Sequence, residues 1–170
     1  GIAGMGTKEE DWVEHLFTAS THDYLMFFTE RGQVYWLKVH QIPRASRASR
    51  GKPIVNLLNI AKNETIASIV RTREFPEDRY LMFATSAGQV KKTSLAAYSN
   101  VRTVGLNAIN IQEGDSLIDV QLIDEGNHIL LTTRNGKAIR FEESDARVMG
   151  RATQGVRGIR LSGDDRVVGM

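Results

Sequence analysis

Three stretches decide the fold. The first is Tyr24-Leu25-Met26-Phe27-Phe28-Thr29-Glu30-Arg31-Gly32-Gln33-Val34. The second is Tyr80-Leu81-Met82-Phe83-Ala84-Thr85-Ser86-Ala87-Gly88-Gln89-Val90, and the third is His128-Ile129-Leu130-Leu131-Thr132-Thr133-Arg134-Asn135-Gly136-Lys137-Ala138. In each, an apolar run ends in Thr, two residues follow, and then a Gly. The glycines fall 56 and 48 residues apart. A second glycine follows each of them (Gly51, Gly105 and Gly155), at offsets of 19, 17 and 19. Each second glycine leads into an apolar run: Ile54–Leu58, Leu106–Ile111 and Val156–Leu161. A polar turn comes next (Lys62-Asn63-Glu64, Glu113-Gly114-Asp115, Gly163-Asp164-Asp165), and then another apolar run: Ile66–Val70, Leu117–Leu122 and Val167–Met170.

One repeat thus reads as four short strands, and a period near 50 residues is that of a propeller blade. The first glycine of each repeat predicts a tight hairpin, most strongly at Asn135-Gly136, where a type I′ turn is expected. Alternation puts Val34, Trp36 and Lys38 on one face of their strand and Tyr35, Leu37 and Val39 on the other. Thr7-Lys8-Glu9-Glu10 has the form of a capping box ahead of helically spaced Trp12, Val13, Leu16 and Phe17. Its place in the repeat, before the first hairpin, predicts instead an opening strand over Asp11–Ser20. The expected fold is all-β: one partial, propeller-like β-pinwheel of four-stranded blades over residues 1–170. About three blades are present, roughly 11–60, 64–112 and 115–162, and 163–170 start the next. Three blades do not close a ring of four to eight, so closure calls for further blades or for association of two partial rings.

The 170 residues are 41% hydrophobic, enough for a sizeable core. There is no cysteine, which excludes a disulfide scaffold and a thiolate zinc site and suits a reducing cytoplasm. No apolar run approaches the ~20 residues that span a bilayer, and no signal peptide is visible.

The net charge of +2 conceals strong patterning. Residues 31–52 hold six basic groups and no acid, and residues 90–110 hold three and none. Residues 134–161 hold seven basic and three acidic groups, whereas 111–133 hold five acids and no base. Basic blocks recurring on a repeating fold suggest a stripe that tracks a polyanion. The 16–18 residues between the two glycines of each repeat contain its longest non-strand piece. They contain Arg44, Arg47, Arg50, Arg102, Arg147 and Arg151, and loops on a rigid scaffold are where binding residues usually sit. The candidates for contact with phosphate are Arg44, Arg47, Arg50 and Lys52 on the first repeat, and Lys91, Lys92 and Arg102 on the second. Arg140, Arg147, Arg151, Arg157 and Arg160 are those of the third. The competing reading is that some of them pair with Glu142, Glu143 or Asp145, or lie over apolar neighbours. Tyr35 and Trp36 read as core or inter-blade packing, and the four histidines show no ligand spacing.

Gly114-Asp115-Ser116-Leu117 spells the signature of a hydrolase family with a serine nucleophile. The matching slots read Asn63-Glu64-Thr65-Ile66 and Asp164-Asp165-Arg166-Val167, so it reads as a repeat turn. Gly4-Met5-Gly6-Thr7-Lys8 lacks the order of a phosphate loop.

Several segments, taken together and in order, resemble the C-terminal domain of DNA gyrase A, the topoisomerase polypeptide that cleaves DNA. They are Lys8–Phe17, Ser20–Asp23, Gly32–Tyr35, Pro53–Leu58, Gly88–Thr93 and Gly155–Arg160. The resemblance implies a six-bladed β-pinwheel with strands shared between blades and duplex DNA bent around a basic perimeter. It implies no catalytic residue, metal or cofactor in this segment; the catalytic tyrosine, ATP and magnesium belong to the rest of the enzyme. The implied partners are double-stranded DNA, the remainder of gyrase A and the whole of gyrase B, in the bacterial cytoplasm at the nucleoid. The family's Gln-Arg-Arg-Gly-Gly-x-Gly box precedes the first blade; Gly1 stands where its last glycine would be, so none of the box's role is transferred to this chain. The related domain of topoisomerase IV is the alternative, and the match at Lys8–Phe17 and Ser20–Asp23 favours gyrase. A protein-binding propeller scaffold and a small hydrolase are the rival classes; a scaffold would expose an apolar patch rather than a basic rim.

Overall fold

The computed structural model describes residues 20–41 and 64–170. The expected opening strand over 11–20 (but for Ser20), the run Ile54–Leu58, and the candidates Arg44, Arg47, Arg50 and Lys52 lie outside the described residues. Among those described there is no α-helix. The strands are β1 (Tyr24–Thr29), β2 (Gln33–Lys38), β3 (Ile66–Thr72), β4 (Tyr80–Thr85), β5 (Gln89–Ser94), β6 (Leu106–Asn107), β7 (Leu117–Ile123), β8 (His128–Thr133), β9 (Ala138–Glu142), β10 (Val156–Arg157) and β11 (Val167–Gly169). They form antiparallel sheets ordered β3-β1-β2-β6, β10-β5-β4-β7 and β11-β8-β9.

The Thr-x-x-Gly spacing has a local cause. Gly32, Gly88 and Gly136 each take positive φ (86°, 92° and 87°). The N–H of each donates to the carbonyl of Thr29, Thr85 or Thr133. The hydroxyl oxygen of the same threonine accepts from the next N–H, that of Gln33, Gln89 or Lys137, at 3.0–3.2 Å. The expected type I′ turn at Asn135-Gly136 is not formed. It needs positive φ at both central residues, and no residue other than glycine has it among those described. The hairpins are three-residue loops in which glycine supplies the left-handed bulge position.

The sheets do not follow the chain segments one for one. Ile66–Thr72, which begins the second segment, pairs with β1, and Leu106–Asn107 pairs with β2. One repeat later, Leu117–Ile123 pairs with β4 and Val156–Arg157 with β5. Strands are thereby shared between successive repeats, as the resemblance implies. Each exchange is stitched at the hairpin glycine. Gly32 O accepts from Ala108 N at 2.7 Å, and Gly88 O accepts from Gly158 N at 2.7 Å.

The polar turns act as latches. Asp115 accepts from Ser86 Oγ and the Ala87 N–H, and Asp165 from the Asn135 N–H. Glu64 accepts from Thr29 Oγ1 and the Tyr35 hydroxyl. Burial works to raise the pKa of Asp165, but bonds from Thr133 and the Asn135 and Arg166 backbone, with the Arg134 charge, hold it below the ordinary range.

A continuous apolar run such as β4 follows from burial on both faces. Leu81 and Phe83 enter a core shared with Met26, Phe28 and Trp36 of the first sheet. Met82 and Ala84 enter another, shared with Ile129, Leu131 and Val167 of the third. Phe28 meets Phe83 edge-on at 5.5 Å and Tyr98 at 6.2 Å. Trp36 Nε1 donates to Tyr98 O, so the two aromatic residues of β2 are engaged in packing. In β8 exposed and buried residues alternate, with Leu130 half exposed.

Candidate nucleic-acid interface

The strands β3, β7 and β11 pack side by side, with Ser68 Oγ donating to Val120 O at 2.8 Å across the first contact. Each ends its own sheet. The opposite edges, β6, β10 and β9, are therefore the outer ones. The arginines that the sequence singled out in the second and third repeats lie along these edges. Arg102 lies in the segment that leads into β6, and Arg147 and Arg151 lie in the one that leads into β10. Arg157 is on β10 itself, Arg160 follows it, and Arg140 is on β9 opposite Leu130. Arg102, Arg140, Arg147, Arg157 and Arg160 are exposed, and none forms an ion pair among the described residues. Glu142 and Asp145 bond each other's backbone in a capping box.

Three sequence candidates sit elsewhere. Lys91 is fully buried and Lys92 nearly so, which removes both as groups that meet a duplex. The Lys-Lys pair reads as surface from polarity, but β5 lies between β10 and β4, and segments from later in the chain cover both side chains. Lys92 turns to one side, where Nζ bonds Glu143 Oε2 at 2.8 Å and Glu143 O at 3.0 Å. Lys91 turns to the other, among backbone carbonyls. Arg151 is half-buried, and its guanidinium donates to Asn107 O. Its role is to hold the loop. Exposed Lys137, beside the third hairpin glycine, was not among the sequence candidates; its Nζ donates to Arg160 O.

The electrostatics follow the burial. Bonds from Lys92 and the Gly126 N–H hold Glu143 below the usual carboxylate range, with desolvation opposing them. Burial and the neighbouring Arg151 pull Lys91 down to about 7. Burial pushes the Tyr98 hydroxyl up. Glu143→Gln is expected to cost about 2 kcal/mol at neutral pH, since a charged hydrogen bond inside the fold is lost. The folded pKa of Glu143 is depressed, so its contribution is complete above the unfolded value near 4.5 and disappears as pH falls through the folded one. Thermal melts of wild type and variant should therefore converge on acidification.

The hydrolase motif is a latch as well. Asp115 Oδ1 is occupied by Ser86 and by backbone N–H groups, and Ser116 Oγ donates to Ser86 Oγ at 3.3 Å.

Shared strands, glycine-stitched hairpins and outer edges that carry exposed arginines define a propeller-type module. The family described as the DNA gyrase C-terminal domain, a β-propeller, matches residues 23–73, 79–124 and 127–170. DNA gyrase A of Salmonella typhimurium is 47% identical over the whole chain, which covers 19% of that relative. DNA gyrase A of Halalkalibacterium halodurans is 50% identical over 94% of the chain, again 19% of the relative. Among solved structures, the C-terminal domain of DNA topoisomerase IV superposes with a TM-score of 0.80 at 34% identity, over 87% of this chain and 46% of that one. A DNA gyrase A C-terminal domain superposes at 0.72 and 24%, over 88% and 47%, which speaks to the fold alone. The chain spans about a fifth of the curated relatives and just under half of these structures. It belongs to the DNA gyrase C-terminal domain family.

Proposed function

We propose that the chain is the non-catalytic DNA-binding and DNA-wrapping part of a bacterial DNA gyrase A. The observation that carries this is the set of exposed arginines on successive outer edges, without ion-pair partners among the described residues. Arg44, Arg47, Arg50 and Lys52 fill the matching slot of the first repeat in the sequence and belong to the same proposal. Identity of 44–50% to gyrase A proteins along most or all of the chain favours gyrase over topoisomerase IV.

Contacts of this kind go to phosphates and read no base, so they fix the path of the duplex without a sequence preference. Bending a duplex by about 40–90° costs on the order of 1–6 kcal/mol, which the added phosphate contacts must offset. A rigid stack of sheets suits this, because its edges do not move to meet the DNA. In the whole enzyme, wrapping would present a crossing to the cleavage core, where ATP-driven strand passage introduces negative supercoils. The remainder of gyrase A and the whole of gyrase B are the proposed partners, and ATP and magnesium act in those parts.

Binding of unrelated linear duplexes at two salt concentrations tests the reading. The five exposed arginines alone predict a fall of roughly 500-fold in affinity between about 50 and 200 mM salt, equal for every sequence, and contacts from the first repeat would steepen it. Salt-insensitive binding, or none, would favour the protein scaffold.

A further inference from the structure

Lys91 stands out among the buried charges because no acid faces it. It is 0% exposed. Its Nζ donates to Ala108 O at 2.6 Å, to Arg151 O at 2.5 Å and to Gly150 O at 3.4 Å, and lies 4.8 Å from the centre of the Phe83 ring. Three carbonyl acceptors match the three N–H groups of an ammonium; a neutral amine has only two and would point a lone pair at the third oxygen. The other titratable or charged groups around it are Arg151, from the third-repeat loop, and Tyr98, from the short 3-10 turn after β5. Tyr98 donates to the same Ala108 O at 2.9 Å. Strand β4 contributes the Phe83 ring, and the segment after β6 contributes carbonyls. Lys92 and Glu143 occupy the opposite face of β5.

These contacts cross between repeats. Ala108 follows the segment that carries Arg102 and is itself bonded to Gly32 of the first hairpin. Gly150 and Arg151 belong to the segment that carries Arg147, and Arg151 reaches back to Asn107 O. One ammonium on β5 and one guanidinium thus cross-tie two successive outer-edge segments. An apolar side chain would fill the same space without the desolvation that a buried charge suffers, so packing alone does not account for a lysine here.

We propose that Lys91 is a positioning residue for the duplex: its ammonium fixes the spacing between the segment bearing Arg102 and the segment bearing Arg147, and so sets the curvature at which neighbouring outer edges meet the DNA backbone. This rests on the duplex-binding reading above.

The test uses the full-length protein that carries this chain and a short duplex labelled at both ends, with energy transfer reporting the bend and a separate titration reporting affinity. Lys91→Met keeps the stem and removes the ammonium. At a pH of about 6.5 it is expected to bind within roughly threefold of wild type, because the exposed arginines remain, yet to bend the duplex roughly tenfold less. The charge is present below the folded pKa and lost above it. Wild-type bending should therefore decline towards the Met level as pH rises from about 6.5 to about 9, while the variant stays flat. Equal bending by the two proteins overturns the inference. So does a constant offset at every pH, which is what lost packing gives. If Lys91→Met fails to fold, the wild-type profile decides alone, and a flat one overturns the inference. Wild type that binds no duplex overturns the DNA reading and this inference with it; bending that ignores Lys91 overturns only the latter.

Discussion

Gly32→Ala should lower the stability of the fold by about 3–5 kcal/mol. A non-glycine residue in the left-handed region costs about 1–2 kcal/mol by itself. The added Cβ would also overlap the carbonyl oxygen of Ile109 and lie 2.9 Å from Ile111 Cγ1. Relief requires the second-repeat segment to move off the first hairpin, which lengthens the bonds from the Ala108 and Ile109 N–H groups to Gly32 O, now 2.7 and 3.3 Å. Those two bonds contribute about 0.5–1.5 kcal/mol each. The melting temperature should drop by roughly 6–20 °C for a chain of this size. Gly136→Ala is the control. It has nearly the same φ, +87°, but nothing within 4 Å of the new atom, so it should cost only about 1–2 kcal/mol. Equal losses at the two sites would mean that backbone strain is the whole effect and that the seam between repeats contributes little.

The second large effect concerns binding. A triple variant, Arg102→Ala with Arg147→Ala and Arg157→Ala, should lose roughly 100-fold in duplex affinity near physiological salt, about fivefold for each released phosphate contact. The slope of log affinity against log salt should become shallower by about 3. The fold should be untouched, because all three side chains are exposed. The loss should also be the same for duplexes of unrelated sequence. A loss confined to particular sequences would mean that these arginines read base edges.

The hairpins and the strand count were legible because a single spacing, Thr-x-x-Gly, encodes a turn whose hydrogen bonds are all local. Thr29, Thr85 and Thr133 do the same work in all three repeats. The membership of each sheet was not legible in periodicity, since Leu106–Asn107 pairs with Gln33 and Val34 across more than 70 residues of chain, and only the family resemblance carried the idea of shared strands. Asn135 misled because Asn-Gly favours type I′ in a two-residue loop, whereas this loop has three residues and needs only the glycine at positive φ. Lys91 and Lys92 misled for a different reason. Their polarity is that of a surface strand, and what buries them comes from later in the chain: Ala108, Glu143, Gly150 and Arg151. Arg102 and Arg147 were readable from the long loops, whose place at the edge follows from the repeat.

The chain contains no cysteine, so single cysteines carrying a photo-crosslinker can be placed cleanly. Positions 102, 140 and 157 lie on the three outer edges, and Gln121 and Val168 are exposed positions on the inner strands β7 and β11. All three outer positions are expected to crosslink to bound duplex, and neither inner position is. Crosslinking from Gln121 and Val168, with none from the outer positions, would contradict an outer-edge path for the duplex.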